Sequence, residues 1–121
     1  MRHPSSTSAG AAYLDRAARL DALRAAARRA SARMSSIRRI VLFGSTVTGT
    51  PTPRSDADVL VVLDGSPHLQ PRDRIPDLLA ALSPLPCDLD LFVVTEVELA
   101  RAREEGSPLA RTALTTGVDL L

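Results

Sequence analysis

Two closely spaced pairs of aspartates are the residues of this chain best suited to chemistry. Asp56 and Asp58 stand directly before a Val/Leu-rich run, and Asp88 and Asp90 stand before another. Because residues two apart on a strand project to the same side, each pair brings two carboxylates together. Such carboxylates repel each other unless a proton or cation offsets the charge, and Mg²⁺ prefers hard oxygen ligands. Together they predict a two-metal cluster for phosphoryl or nucleotidyl transfer, although the second pair also fits a solvated strand start.

A turn built from glycine and a hydroxyl residue precedes the first acidic pair. Gly44-Ser45 follows an apolar run, and Gly49 stands further on, as in the first half of a P-loop. The P-loop lysine is missing, however, because all 15 basic residues of the chain are arginine. The Rossmann spacing of glycines is absent as well. Alone, these glycines indicate an ordinary turn; only the acids that follow make it a candidate phosphate site.

The combination resembles a known family. Gly44-Ser45, a spacer of about ten residues, Ser55-Asp56-Ala57-Asp58, and then Asp90 in DLDLFVVT resemble the nucleotidyltransferase superfamily typified by DNA polymerase beta, specifically its minimal nucleotidyltransferase branch. The resemblance extends from Ile37 to Leu121 and includes the tail GSPLARTALTTGVDLL.

The resemblance implies a role for each matching residue. Gly44 would let the backbone approach a nucleoside triphosphate, and Ser45 would hydrogen-bond a phosphate oxygen. Asp56 and Asp58 would hold two Mg²⁺ ions that bridge the nucleotide phosphates. Asp90 would complete the metal site and help to deprotonate the attacking hydroxyl.

Two points of the family pattern stay open in this chain. Asp88 projects to the same side as Asp90 and is the second choice for the third acid, since the hydrophobic run follows Asp90 directly. Many small relatives carry an arginine just after Gly-Ser, where this chain has Thr46-Val47-Thr48. Arg54 and Arg39 are the candidates to supply that charge.

The resemblance also implies a function. We expect transfer of a nucleoside monophosphate, as AMP from ATP, to a hydroxyl of a macromolecular acceptor. That acceptor is expected to be a partner HEPN toxin, which would make this chain an antitoxin. One alternative is a non-catalytic module of the same fold that neutralises a toxin by contact. Another is an aminoglycoside-type nucleotidyltransferase for small molecules, for which the chain leaves little room for a substrate domain.

The surrounding elements must hold these residues in place. Apolar periodicity predicts an amphipathic helix over residues 10–34, with Tyr13, Ala17, Leu20, Leu23, Ala27, Ala30 and Met34 on one stripe. Strands are predicted at 37–43, 57–63 and 87–94, with a short one after Gly117. Helices are predicted after Asp73, after the Thr95-x-x-Glu98 capping box and after Ser107-Pro108. This order predicts an α/β (α+β) fold with a central mixed sheet of three or four strands flanked by helices.

Composition sets the remaining expectations. The length of 121 residues favours a single domain, and the resemblance implies a nucleotidyltransferase domain over 10–121 with a catalytic core at 37–121, after a disordered tail at 1–9. Residues 1–39 carry a net charge of +7 and the remainder −6, so the first helix is either a solvated face or a surface for a partner, with which the chain could form an oligomer. Two Phe and no Trp argue against base stacking and hence against direct nucleic-acid binding. Without a signal peptide or membrane span, a cytoplasmic protein is expected.

Overall fold

Four strands and four α-helices make up the described part of the chain. The computed structural model describes residues 9–44 and 57–121, with side chains from residue 17 onward. The elements, in chain order, are α1 (Ala9–Arg33), β1 (Ile37–Phe43), β2 (Ala57–Leu63), a 3₁₀ turn (Pro71–Arg74), α2 (Ile75–Leu82), β3 (Leu89–Thr95), α3 (Glu96–Glu104), α4 (Pro108–Thr116) and β4 (Val118–Asp119). Most of the predicted tail at 1–9 lies outside the described residues.

The strands form one mixed sheet in the order β3-β2-β1-β4. β1 runs antiparallel to both β2 and β4, whereas β2 and β3 are parallel. A parallel pair needs a crossover, and the segment between β2 and β3 supplies it with the 3₁₀ turn and α2. The α/β fold with a central mixed sheet is therefore confirmed, with four strands among the described residues.

Both faces of the central strands are covered by helices. On one face, Ile40 and Val61 pack in a cluster with residues of α1 and α2. On the other face, Val41 and Leu60 pack in a second cluster with residues of α3 and α4. Burial on two faces explains why residues 40–43 of β1 and 59–63 of β2 are continuous apolar runs rather than alternating ones, as predicted for the end of β1.

Helix α1 buries a narrow stripe made mostly of alanine. Leu23 is 2% exposed, and Ala26, Ala27 and Ala30 are fully buried, which lets the helix backbone approach its neighbours closely. Ala17, predicted on this stripe, is exposed instead. Among the helices of residues 9–44 and 57–121, none has the length and apolarity to cross a membrane.

Arg29 ties α1 to the end of α2. Its Nη2 donates to the carbonyl oxygens of Leu82 at 2.9 Å and Pro84 at 2.7 Å. The last carbonyls of a helix lack intrahelical donors, so this guanidinium satisfies one of them from outside the helix. Arg29 is thus a structural contact between two elements and not part of a free basic surface.

Two predicted boundaries are wrong in detail. β3 begins at Leu89 rather than at Cys87. Asp73 does not cap α2, because Pro71 first opens a 3₁₀ turn and Arg74 then takes the N-cap position without a side-chain bond. The predicted capping box is confirmed: Glu98 N–H donates to Thr95 Oγ1 at 3.2 Å, and Thr95 N–H donates to Glu98 Oε1 at 2.9 Å.

A buried ion pair that the sequence did not predict joins the 3₁₀ turn to α3. Arg74 is 3% exposed, and its Nη1 and Nη2 donate to the two carboxylate oxygens of Glu98 at 2.7 and 3.0 Å. Hydrogen bonding from Arg74, and secondarily from the Thr95 N–H, lowers the pKa of Glu98 to about 2, although burial opposes the change. The same pair raises the pKa of Arg74.

The depressed pKa of Glu98 predicts a loss of stability in acid. A folded-state value of about 2 lies below the unfolded value, so the stabilisation is complete above about pH 5 and falls as pH drops toward 2. Because the Glu98 side chain is 37% exposed, we expect solvent screening to reduce its share to about 1 kcal/mol. Denaturant unfolding between about pH 5 and pH 2.5 should show a shallower pH dependence for Glu98→Gln than for wild type. Equal slopes would contradict this assignment.

Candidate active site

Asp58 and Asp90 lie side by side on neighbouring strands. The parallel register of β2 and β3 pairs Asp58 with Asp90, so both side chains project from the same face of the sheet. Asp58 is partly buried and Asp90 is exposed. Two carboxylates at adjacent register positions repel each other at neutral pH, and a divalent cation between them would offset that repulsion. The register of β2 and β3 therefore brings two carboxylate-bearing residues to adjacent positions on one face of the sheet.

Gly44 packs directly against Asp58 at the end of β1. Its φ of +86° lies in the left-handed region, where residues with a side chain are strained. A Cβ built on Gly44 would overlap Asp58 Oδ2 and would lie 3.2 Å from Asp58 Cγ. Glycine is thus required here both by backbone conformation and by close contact with the carboxylate. This contact places Gly44 against the acidic position.

An aromatic pair lies beside the acids on the same face. Phe43 stands opposite Asp58 in the antiparallel β1–β2 register, and Phe92 follows Asp90 by two positions. Their ring centroids are 5.8 Å apart with the rings tilted by 50°, a favourable arrangement for two aromatic side chains. Both rings belong to the apolar cluster of Val41, Leu60 and Val62. The carboxylates therefore project from a rigid, packed support.

The remaining predicted ligands fall into two groups. Asp56 and Ser45 lie outside the described residues. Asp88 is exposed and precedes β3, where its carbonyl oxygen accepts a hydrogen bond from Ala57 N–H at 3.2 Å. Asp90 is the acid in register with Asp58, which supports it as the third carboxylate, although the choice over Asp88 stays a prediction.

The carboxylate oxygens of Asp58 and Asp90 are suitable ligands for a divalent cation. Asp58 and Asp90 offer carboxylate oxygens from one face, which is the ligand type that Mg²⁺ binds with phosphates and water. Among the side chains described for residues 17–44 and 57–121, no cluster of three or more His, Cys, Asp or Glu that could hold a metal ion occurs. The other predicted carboxylate ligand, Asp56, lies two residues before Asp58 and outside the described residues.

Two arginines, Arg39 and Arg54, were predicted to replace the missing basic residue after Ser45, and Arg39 lies too far from the acidic pair to do so. Arg39 lies toward the other end of β1, opposite Val62, and its Nη2 donates to Asp119 Oδ1 at 3.1 Å. Arg39 lies four positions before Phe43 along the strand, so it is remote from the acidic pair. Arg54 lies outside the described residues.

Replacing Gly44 with alanine should move the Asp58 carboxylate. We expect transferase activity to fall by about 10- to 100-fold, because small misplacements of reacting groups have effects of that size. The free energy of unfolding should also fall by about 1–2 kcal/mol, since φ is positive. Gly106→Ala is the matched control: φ there is +75°, but no heavy atom lies within 4 Å of the added Cβ. Equal activity losses in the two variants would exclude a specific role for the Gly44–Asp58 contact.

Comparison with known proteins matches this chain to a family. The family model of the nucleotidyltransferase domain matches residues 23–92, a span that includes Gly44, Asp56, Asp58 and Asp90. No curated protein matches the chain significantly.

Two solved structures share the fold. One is a Sulfolobus solfataricus protein assigned as a nucleotidyltransferase, with a TM-score of 0.63 and 18% identity over 89% of this chain and 84% of that one. The other is a toxin–antitoxin structure with AMP-PNP, with a TM-score of 0.57 and 24% identity over 81% of this chain and 72% of that one. The family match spans more than half of the sequence and contains the acidic strands. The chain therefore belongs to the nucleotidyltransferase domain family.

Proposed function

We propose that this chain is a Mg²⁺-dependent nucleotidyltransferase that moves AMP from ATP to a hydroxyl of a macromolecular acceptor. The observation that carries the proposal is the pairing of Asp58 with Asp90 on one face of the sheet, with Gly44 packed against Asp58. Nucleotidyl transfer needs negative charge on the phosphates to be neutralised and the attacking hydroxyl to lose a proton. Membership of the nucleotidyltransferase domain family supports the proposal that this chain meets both requirements.

Each acid has a distinct part in this proposal. Asp58 and Asp56 would hold the Mg²⁺ ions that the nucleotide phosphates share, and Asp90 would complete the set. Bound Mg²⁺ would supply charge neutralisation at the phosphates. Asp90 is exposed at the edge of the pair, so it is well placed to accept the proton of an incoming hydroxyl. Gly44 would hold the turn, including Ser45, close to the phosphates.

The proposed acceptor is a partner protein, and the chain would act as an antitoxin. The toxin–antitoxin structure with AMP-PNP shares the fold at 24% identity, which supports a nucleotide and a partner without identifying either for this chain. The resemblance described above adds the expectation of a HEPN toxin. The exposed arginines Arg19, Arg28 and Arg33 give α1 a positive charge that would attract an acidic partner. We propose that the reaction takes place in the cytoplasm.

A transfer assay combined with a neutralisation assay tests this proposal. The chain is incubated with α-labelled ATP, Mg²⁺ and the protein that co-purifies with it, and Asp58→Asn is compared with wild type. We expect label on the partner with wild type only, and protection of toxin-expressing cells by wild type only. No label transfer, together with equal protection by the variant, would instead indicate a non-catalytic module that neutralises by contact.

A further inference from the structure

Strand β3 is the edge of the sheet next to the acidic pair. Only β2 pairs with β3 among the described residues, so the opposite side of β3 presents backbone N–H and C=O groups outward. Leu89, Leu91 and Phe92 are partly exposed and Asp90 is exposed. An unpaired edge of this kind is a template for another extended chain.

The ladder with β2 fixes which groups point outward. Ala57 N–H donates to the Asp88 carbonyl oxygen, and the parallel register pairs Ala57 with Leu89. In such a ladder the backbone groups of alternate residues face β2, so those of Asp90 point inward. The N–H and C=O groups of Leu89 and Leu91 consequently point away from the sheet. They flank Asp90 on both sides.

The far half of the same edge is already occupied. Arg74 Nη1 donates to the Val93 carbonyl oxygen at 3.0 Å, and Thr95 N–H donates to Glu98 Oε1 at 2.9 Å. Both backbone groups belong to the outward set of β3 by the same alternation. The Arg74–Glu98 ion pair therefore closes the edge from Val93 onward. The outward backbone groups of segment 89–91, which is centred on Asp90, form no hydrogen bond with any other described residue.

We propose that the acceptor polypeptide docks as a short antiparallel strand on Leu89–Leu91 and presents its hydroxyl residue opposite Asp90. This inference rests on the proposed function. Leu89 and Leu91 would exchange backbone hydrogen bonds with the residues that flank the acceptor hydroxyl residue. That residue would then form a non-hydrogen-bonded pair with Asp90, in which the side chains approach most closely and lie on the same face. Asp58 lies on that face as well.

The alternative occupant, a second copy of this chain, fits the open segment poorly. A two-fold pairing centred on residues 89–91 would place Asp90 directly opposite its own copy. Like charges at directly opposed positions destabilise a strand pair. A longer pairing would have to displace Arg74 and Glu98 from Val93 and Thr95. A different polypeptide, with a neutral hydroxyl residue facing Asp90, avoids both conflicts.

In this arrangement the docked hydroxyl attacks the nucleotide in a single balanced step. The acceptor hydroxyl oxygen forms a bond to the α-phosphorus of ATP, and the bond from that phosphorus to the bridging oxygen breaks. Pyrophosphate leaves, and the hydroxyl proton passes to the Asp90 carboxylate. The β3 edge thereby orients the nucleophile, and Arg74 with Glu98 fixes where the docked strand ends.

Amide hydrogen exchange with a synthetic peptide tests the docking directly. The probe is Thr-Val-Tyr-Val-Thr at millimolar concentration with the full chain, and the control is the same peptide N-methylated at both valines. Exchange at the Leu89 and Leu91 amides should slow by about twofold at half saturation with the probe and stay unchanged with the control. Equal effects of both peptides would overturn the proposal. Slower exchange at these amides as the protein concentration is raised without peptide would also overturn it, because it would indicate pairing between two copies of the chain.

A proline variant adds a test at the protein's own edge. Proline is tolerated on an edge strand where the N–H faces outward, so Leu91→Pro removes a docking donor and leaves the β2 ladder in place. Leu91→Ala loses the same apolar packing but keeps the N–H. We expect labelling of the probe peptide to fall about tenfold more in the proline variant than in the alanine variant, with ATP binding unchanged in both. Equal labelling in the two variants would overturn the edge proposal alone, whereas absence of Mg²⁺-dependent ATP binding in wild type would overturn the proposed function.

Discussion

Asp58→Asn should lower nucleotidyl transfer by about a thousandfold or more. The substitution removes one negative charge from the paired position while keeping the size of the side chain, so the contact with Gly44 stays intact. Asp56 and Asp90 would then face the phosphates with one carboxylate fewer and would hold a divalent cation far less well. The steady-state rate of AMP incorporation from labelled ATP measures the effect, and thermal unfolding checks that the fold is unchanged.

A matched aspartate provides the control for this experiment. Asp64 follows the opposite end of β2 and contacts exposed Arg38 at 3.5 Å, a surface pair that contributes little to stability. Asp64→Asn should therefore keep wild-type transfer, and Asp90→Asn should resemble Asp58→Asn. Full activity in Asp58→Asn would mean that the paired carboxylates do not form the active site.

Arg74→Met should lower the free energy of unfolding by about 2–4 kcal/mol. The guanidinium makes five hydrogen bonds, to the His68 and Val93 carbonyl oxygens and to both carboxylate oxygens of Glu98. Methionine fills a similar volume but donates none of these bonds. Buried acceptors and a carboxylate would lose their donor, and that loss outweighs the gain in apolar burial. Urea denaturation monitored by circular dichroism gives the free energy.

The neighbouring Arg72 serves as the control for the Arg74 variant. It lies on the same 3₁₀ turn but is exposed, so Arg72→Met should change stability by less than about 0.5 kcal/mol. A double-mutant cycle with Glu98→Gln should show that the effects of the two partners are not additive. Additive effects, or a fully stable Arg74→Met, would show that the pair does not hold α3 to the 3₁₀ turn.

Much of the sheet could be predicted because its three long strands each contain a continuous apolar run. β1 and β2 have the bounds that their Ile, Val and Leu content predicted, and the Thr95–Glu98 capping box marked the start of α3. The spacing of aspartates before such runs also predicted that Asp58 and Asp90 would meet. The apolar runs and the capping box are local signals that depend only on residues close in sequence, whereas the meeting of Asp58 and Asp90 also needs the parallel register of β2 and β3.

The remaining features depend on contacts between distant residues. Arg74 resembles any surface arginine in the sequence, and only the crossover of α2 brings it to Glu98 and to the edge of β3. Asp73 was a better local candidate for a helix cap, yet Pro71 and the burial of Arg74 determine where α2 begins. The contact between Gly44 and Asp58 likewise requires the antiparallel register of β1 and β2. Sequence spacing alone carries no information about these partners.

The central claim is that Asp58 and Asp90 together hold the divalent cation of a bound nucleotide. Crystals grown with Mn²⁺ and a non-hydrolysable ATP analogue test it through anomalous diffraction. We predict a Mn²⁺ peak within about 2.0–2.6 Å of a carboxylate oxygen of Asp58, with a further such contact to Asp90 and the nucleotide phosphates beside Gly44. Nucleotide bound with no Mn²⁺ at these two carboxylates, or Mn²⁺ and nucleotide at another surface of the protein, would contradict the claim.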